Sequence, residues 1–347
     1  MKVDIKSLLY EEIESFITGL GEPRFRAKQV FHWLFGKGVD NFESMSDLPA
    51  RLRENLSETA FITTPEVVSR RKTGDGFTVK FLYRLNDGEL IETVFMRRLW
   101  GRTVCISTQV GCRMGCRFCA SGVSGLVRNL TAGEMYDQVL VTQKETGERI
   151  SHVVLMGMGE PLDNLDNTLR FLKNITYPAG LRIGARRISV STCGVVPGIR
   201  ALGRLGIQVG LAVSLHAPND DLRNVLVPVN RRYPLSELIE ACKDFIEHTG
   251  RRVTFEYTLI SGVNDGRQTA QELAGLLAGL LCHVNIIPLN RVAERGFAPP
   301  PAERVAAFKT VLQERGITVT VRHSVGDQIA AACGQLRRIE KWDCRGP

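Results

Sequence analysis

Cys112, Cys116 and Cys119 stand at spacing C-x3-C-x2-C inside the run 110–122, interleaved with glycine and arginine. Three thiolates hold three corners of a four-iron cluster and leave the fourth iron open to a small molecule, since full ligation takes four cysteines. Gly111 and Gly115 permit the unusual backbone angles that such a wrap needs. Zinc wants four ligands, commonly as paired C-x2-C units, and this run offers three. The pattern favours an open iron–sulfur site over zinc and over a chance group of buried thiols.

Other residues with chemical potential lie far along the chain. Gly157-Met158-Gly159-Glu160-Pro161 joins glycines, which let backbone approach a ligand, to a carboxylate suited to an ammonium group. Ser191-Thr192-Cys193-Gly194, Ser214-Leu215-His216 and Pro288-Leu289-Asn290 each place polar side chains directly after an apolar run. Singly, each has an ordinary structural explanation, and a lone His216 is more often a satisfied core histidine. Cys333, among alanines near the C-terminus, and Cys105, just upstream of the cysteine run, read in isolation as inert buried thiols.

The elements that must position these residues follow from periodicity. Residues 4–20, 24–36 and about 49–58 carry apolar positions at helical spacing and predict a helical module over 1–60. Its Arg24, Arg26, Lys28 and Lys37 suit either nucleic acid or a solvated face. From residue 61 the period becomes two, with Phe77, Val79, Phe81 and Tyr83 alternating. Asn86-Asp87-Gly88 signals a hairpin, so 61–100 reads as a short β extension. Thr103–Gln109 predicts a strand running into the cysteine loop. Beyond it, strands and helices alternate: helix 131–146 with a Thr131/Glu134 capping box, strand 152–156, helix 163–175, strand 187–191, a helix after Pro197, strand 208–214, helix 235–248, strand 253–259, helix 267–278, strand 283–288, helix 302–315 and strand 317–322. This α/β alternation over 101–347 predicts about six parallel strands closed as a partial (β/α)6 barrel. Sites in such barrels lie at the C-terminal strand ends, where the polar segments above fall.

The 347 residues suffice for a barrel and an accessory module. No apolar run approaches the roughly 20 residues of a membrane helix, and the N-terminus lacks a signal-peptide core. The nine cysteines therefore read as cytoplasmic thiols, with no membrane partner. Net charge is +8, and residues 1–100 hold 15 basic and 15 acidic side chains, so the excess lies wholly after residue 100. A basic body favours a polyanionic partner such as RNA.

The cysteine loop, with Phe118 before its last cysteine, resembles that of the radical S-adenosylmethionine (radical-SAM) superfamily. More specifically, the chain resembles the radical-SAM RNA methyltransferases that methylate carbon 2 of adenosine in 23S rRNA and tRNA. The resemblance runs from the helical module to Ala332-Cys333-Gly334-Gln335-Leu336. It includes Glu92-Thr93-Val94, Cys105-Ile106-Ser107, Gln109-Val110-Gly111-Cys112, Ser214-Leu215-His216-Ala217-Pro218-Asn219 and Val263-Asn264-Asp265.

It implies a [4Fe-4S] cluster on Cys112, Cys116 and Cys119. It implies S-adenosylmethionine, two molecules per turnover, held by Gly159, Glu160, Ser191, Ser214, Leu215, His216 and Asn290. Cys333 would carry the transferred carbon, Glu92 would remove the ring proton, and Cys105 would resolve the RNA adduct through a transient disulfide. An electron donor such as flavodoxin or ferredoxin and a monomeric state are also implied. Glu160-Pro161 and Ile287-Pro288-Leu289-Asn290 resemble the carbon-2 group more than the related carbon-8 group. Other radical-SAM enzymes act on non-RNA substrates. Cys193, Cys242, Cys282 and Cys344 are expected to be bystanders.

Overall fold

The computed structural model describes residues 2–322 and 326–338. β1 (Val3–Asp4) pairs in parallel with β2 (Ala60–Phe61), tying together the two ends of the helical module formed by α1 (Tyr10–Gly19), α2 (Phe25–Phe31) and α3 (Ala50–Thr59). The helix expected over 4–20 is interrupted. Asp4 caps a 3-10 turn at Ile5–Ser7, the backbone extends at Leu8 and Leu9, and Glu12 then accepts the Leu9 N–H at 2.8 Å to start α1. The break lets the module pack on the barrel, because it buries Lys6 against Asp137 at 2.6 Å, with Thr63 donating to the same carboxylate at 2.9 Å. Burial pushes the Asp137 carboxyl up to about 6 against the opposing pull of Lys6.

β3 (Glu66–Lys72), β4 (Thr78–Arg84), β5 (Leu90–Arg98) and β6 (Gly101–Cys105) form an antiparallel run. The Asn86-Asp87-Gly88 turn joins β4 to β5, with Gly88 at φ +88°. β3 is an addition to the expected pattern; its sequence, rich in charge, faces solvent. The expected alternation in β4 gives way to burial of Val79, Phe81, Leu82 and Tyr83 together, because both faces of the strand are covered, while Phe77 remains exposed.

The strand expected over 103–109 is two strands. β6 stops at Cys105, and β7 (Gln109–Gly111) turns away to pair antiparallel with β8 (Leu126–Asn129). That small ribbon clamps both ends of the cysteine loop. α4 (Ala132–Thr146) follows with its predicted capping box: Glu134 N–H donates to Thr131 Oγ1 at 3.1 Å, and Thr131 N–H to Glu134 Oε2 at 2.9 Å.

The chain then runs through β9 (His152–Leu155), α5 (Leu165–Thr176), β10 (Ile188–Thr192), α6 (Val196–Gly203), β11 (Gly210–Ser214), α7 (Asp220–Leu226), α8 (Leu235–Thr249), β12 (Val253–Leu259), α9 (Arg267–Leu276), β13 (Cys282–Pro288), α10 (Ala302–Glu314) and β14 (Val319–Val321). Strand order in the sheet is β14-β13-β12-β11-β10-β9-β6-β5-β4-β3. β6 and β9 to β14 are parallel. The strand expected over 317–322 is β14, and the parallel strands number seven among the described residues where about six were expected. The antiparallel run continues the same sheet, so one hydrophobic core spans helical module, extension and barrel. Among the described residues no helix is long and apolar enough to cross a membrane.

Candidate active site

The C-terminal strand ends open into a cavity of about 1030 Å³, lined on one side by Cys112, Cys116, Cys119 and Phe118 and on the other by Gly159, Glu160, Ser191, Ser214, His216 and Asn290. Cys333 lines it as well. Of the cofactor-binding residues expected from sequence, only Leu215 lies outside the lining. It is buried beneath the floor, where its carbonyl accepts from Arg223 Nε at 3.0 Å.

The cysteine loop is shaped by close backbone contacts. Gly111 sits at φ +76°, and a Cβ there would fall 1.9 Å from the Gly125 carbonyl oxygen, which accepts the Cys112 N–H at 2.9 Å. Only glycine fits that approach. The Cys193 thiol hydrogen-bonds Cys116 and holds the Cys116 thiol below its ordinary range. Burial pushes Cys112 and Cys119 up. Cys193 is thus no bystander in placement, contrary to expectation. Cys242 is in the core, Cys282 begins β13 away from the cavity, and Cys344 lies outside the described residues.

The donor set fits a cluster better than a single ion. The three thiols share one cavity wall, yet among the described residues no three His, Cys, Asp or Glu side chains converge tightly enough for one metal. Three spaced thiols facing open space are what a four-iron cluster with a free corner requires, whereas tetrahedral zinc needs convergence.

Opposite the loop, Glu160 is 4% exposed and accepts the Cys193 N–H at 2.7 Å and the Leu162 N–H at 3.0 Å. Burial raises its carboxyl, and these hydrogen bonds oppose the rise. Gln109 fixes its backbone at 2.8 Å, and Gly159, at φ +97°, leaves no room for a Cβ beside Gln109. His216 adopts φ +59°, rare for a non-glycine residue. Asn264 Nδ2 braces that turn by donating to His216 O at 2.9 Å and Thr258 O at 2.7 Å. His216 Nδ1 accepts the Thr258 N–H at 2.9 Å. Burial and nearby Arg223 push the ring down to about 3, so it is neutral and carries its proton on Nε2. Its ring meets Phe118 edge-on at 4.7 Å, joining strand end to cysteine loop.

Cys333 stands on the partition between this cavity and a second of about 690 Å³ that contains Cys105. Its loop is held by Asn290 Nδ2 to Cys333 O at 3.0 Å, Ala120 N–H to Gly334 O at 2.8 Å and Ser121 Oγ to Leu336 O at 2.7 Å. Cys105 and Cys333 are both free thiols. Cys105 is buried and pushed up to about 12. Cys333 is reachable by solvent, but the cavity walls still raise its thiol, an effect that Arg322 offsets.

Glu92 is placed differently from the rest. It is 2% exposed, pairs with Lys80 at 2.9 Å, accepts the Arg337 N–H at 2.9 Å, and lines neither cavity. Lys80 also donates to Ala330 O at 3.1 Å, so the pair fastens the Cys333 segment to the β extension.

Sequence reading missed Glu256, Thr258 and Arg322, which line the cavity from β12 and the end of β14, and the fully buried Arg223. A lone charged residue inside the strand 253–259 was the available signal for Glu256. Arg223 carried none, because most of its partners are backbone carbonyls at strand ends, Cys193 O at 2.6 Å and Ser214 O at 3.3 Å among them, with Asn230 Oδ1 at 2.8 Å its one side-chain acceptor among the described residues.

Residues 106–274 match the Radical SAM superfamily, and residues 3–62 match the ribosomal RNA large subunit methyltransferase N-terminal domain. The chain is 55% identical to a probable dual-specificity RNA methyltransferase RlmN of Pelotomaculum thermopropionicum, covering 97% of this chain and 92% of the relative. It is 52% identical to the protein of the same description from Desulforamulus reducens, over 97% and 96%. The chain belongs to the RlmN family. A solved structure of a radical SAM methyltransferase from Sphaerobacter thermophilus superposes with a TM-score of 0.91 at 50% identity, covering 96% of this chain and 99% of that one. Membership makes the protein a radical-SAM enzyme that uses a [4Fe-4S] cluster and S-adenosylmethionine, which agrees with the three-thiol wall and the cavity it faces.

Proposed function

We propose that the enzyme methylates carbon 2 of an adenosine in 23S rRNA and in tRNA, carrying the new carbon on Cys333. The observation that carries this reading is the position of Cys333, on the partition between the cavity of the three cysteines and the cavity of Cys105. Cys112, Cys116 and Cys119 would hold the cluster, which would supply one-electron reducing power for opening S-adenosylmethionine when charged by a flavodoxin- or ferredoxin-type donor.

The chain's own residues supply the rest. Glu160 offers a buried carboxylate to the ammonium of S-adenosylmethionine, and the neutral His216 offers an Nε2–H donor. Ser191, Ser214 and Asn290 complete the polar wall, and Gly159 gives access to backbone. Adenine carbon 2 is not nucleophilic, so direct transfer from a sulfonium to the ring is unsuitable. Cys333 instead attacks the sulfonium methyl as a thiolate: a carbon–sulfur bond forms, and S-adenosylhomocysteine leaves. Arg322 favours that thiolate. The adenine must enter unstacked to meet the carbon. Cys105, across the partition, would attack Cys333 Sγ in the RNA adduct: the S–S bond forms, the carbon–sulfur bond to the transferred carbon breaks, and that carbon keeps the electron pair and takes up a proton to become the methyl group. Glu92 serves as the ring base once the Lys80 pair and the Arg337 N–H contact open.

Cys333→Ala tests the reading. Nucleoside mass spectrometry of reacted RNA is expected to lose 2-methyladenosine while bound iron stays constant. Undiminished methylation would overturn it, and 8-methyladenosine from the wild-type enzyme would move the target carbon.

A further inference from the structure

The opposite, N-terminal end of the barrel opens into a cavity of about 870 Å³ whose rim residues the methylation chemistry does not use. Arg186 and Arg187 precede β10, Arg251 and Arg252 precede β12, and Trp100 precedes β6, all at its rim. Among the described residues none of these four arginines is in an ion pair. The one carboxylate in the lining, Glu256, is committed to Asn285 at 3.0 Å and to Arg322 at 3.4 Å. Deeper in, Thr103 is 3% exposed, and its Oγ1, like Arg251 Nε, is shielded from solvent with no hydrogen-bond partner among the described residues.

We propose that this mouth binds a nucleoside phosphate, the phosphate held by Arg186, Arg187, Arg251 and Arg252 and the base laid against Trp100. Burial lowers Arg251 and His152, and the nearby guanidiniums add to it, Arg186 and Arg252 on Arg251 and Arg187 on His152, so the four unpaired cations also repel. An anion relieves that repulsion, a cation would add to it. Guanidinium matches phosphate oxygens in two-point geometry, and the shielded Arg251 Nε–H and Thr103 hydroxyl supply donors without partners. Trp100 is 65% exposed at the rim, with only an edge-on contact to His152 at 4.9 Å, which leaves ring surface for a base to stack. The proposal does not rest on the methylation reading: the four arginines, Trp100 and Thr103 line only this mouth, although Met156, Glu256 and Arg322, deeper in the barrel, line the cysteine cavity as well.

The ligand is a free nucleotide or a nucleotide within RNA, and one experiment separates them. The holoenzyme, saturated with S-adenosylhomocysteine to fill the opposite mouth, is titrated by calorimetry with uridine 5′-monophosphate and with inorganic phosphate. Saturable binding of both is expected. Arg186→Gln/Arg251→Gln should weaken both at least tenfold, and Trp100→Ala should weaken the nucleotide but not phosphate, with iron content and circular dichroism reporting intact folding. If the arginine variant also lowers RNA affinity and reduces the salt slope by about one per lost phosphate contact, RNA is the source. If RNA affinity is unchanged, the source is a free nucleotide. Absence of saturable binding at millimolar nucleotide, or binding unaffected by both variants, overturns the proposal.

Discussion

The two ends of the barrel are built from the same strands and oppose each other in chemistry. The C-terminal end presents thiols, a buried carboxylate and glycine-opened backbone around a desolvated cavity. The N-terminal end presents three exposed arginines and the half-buried Arg251, all out of ion pairs among the described residues, and an exposed tryptophan. Burial governs the first: it shifts the titration of His216 down and of Glu160 and Cys105 up. At the second, mutual repulsion among like charges adds to burial. A parallel barrel makes this division natural, because strand ends of one polarity all emerge on one side.

Substitutions should therefore separate the two ends. Cys116→Ala is expected to have the largest effect, loss of bound iron and of methylation to below detection, whereas Arg252→Gln should retain iron. Measured iron per chain checks both. Lys80→Met should destabilise the protein by roughly 3–5 kcal/mol, the usual cost of leaving a buried charge without its partner. The Cys333 segment should then become faster to alkylate, read by peptide mass spectrometry beside a urea melt. Glu160→Gln offers a single oxygen where two N–H groups and a ligand ammonium need acceptors. The loss of about 1.5–3 kcal/mol typical of a hydrogen bond to a charged group predicts S-adenosylmethionine binding about 10- to 100-fold weaker by equilibrium titration.

The pH response of the buried end is also defined. The folded His216 ring titrates at about 3, below the ordinary value near 6.5 of an unfolded histidine. Between those values the unfolded chain binds more protons, so stability falls as pH falls through that window. The slope is at most about 1.4 kcal/mol per pH unit. His216→Gln should remove that contribution, and urea melts at pH 7, 6, 5 and 4 would show it. Smallest is Arg322→Gln. Burial already raises the Cys333 thiol, so removing the nearby guanidinium raises it further. Iodoacetamide modification of Cys333 at pH 8 should slow by roughly severalfold. An unchanged rate would mean that Arg322 does not control the Cys333 thiol.

Much of this was legible in residue order. The spacing of Cys112, Cys116 and Cys119 specified a three-thiol wall, and the strand-to-helix rhythm specified six β/α units, because both signals are local: a loop of eight residues, a period of two or 3.6. The polar strand ends at Glu160, Ser191, Ser214 and Asn290 could be gathered from the rule that parallel strand ends share one face. Boundaries failed where tertiary contacts overrode pattern. The first helix breaks so that Lys6 reaches Asp137, and β6 stops at Cys105 so that β7 can clamp the loop with β8.

Only the tertiary structure decided the remainder. It placed Cys333 on a wall shared with Cys105, bound Glu92 to Lys80 outside both cavities, brought Cys193 onto Cys116, and set Arg322 beside the thiol. It also gathered four arginines from two separate segments at the opposite mouth. Sequence determines which groups a strand end carries. Which of them meet, and whether water or protein surrounds them, depends on the curl of the whole sheet, and that environment sets their charge and reactivity.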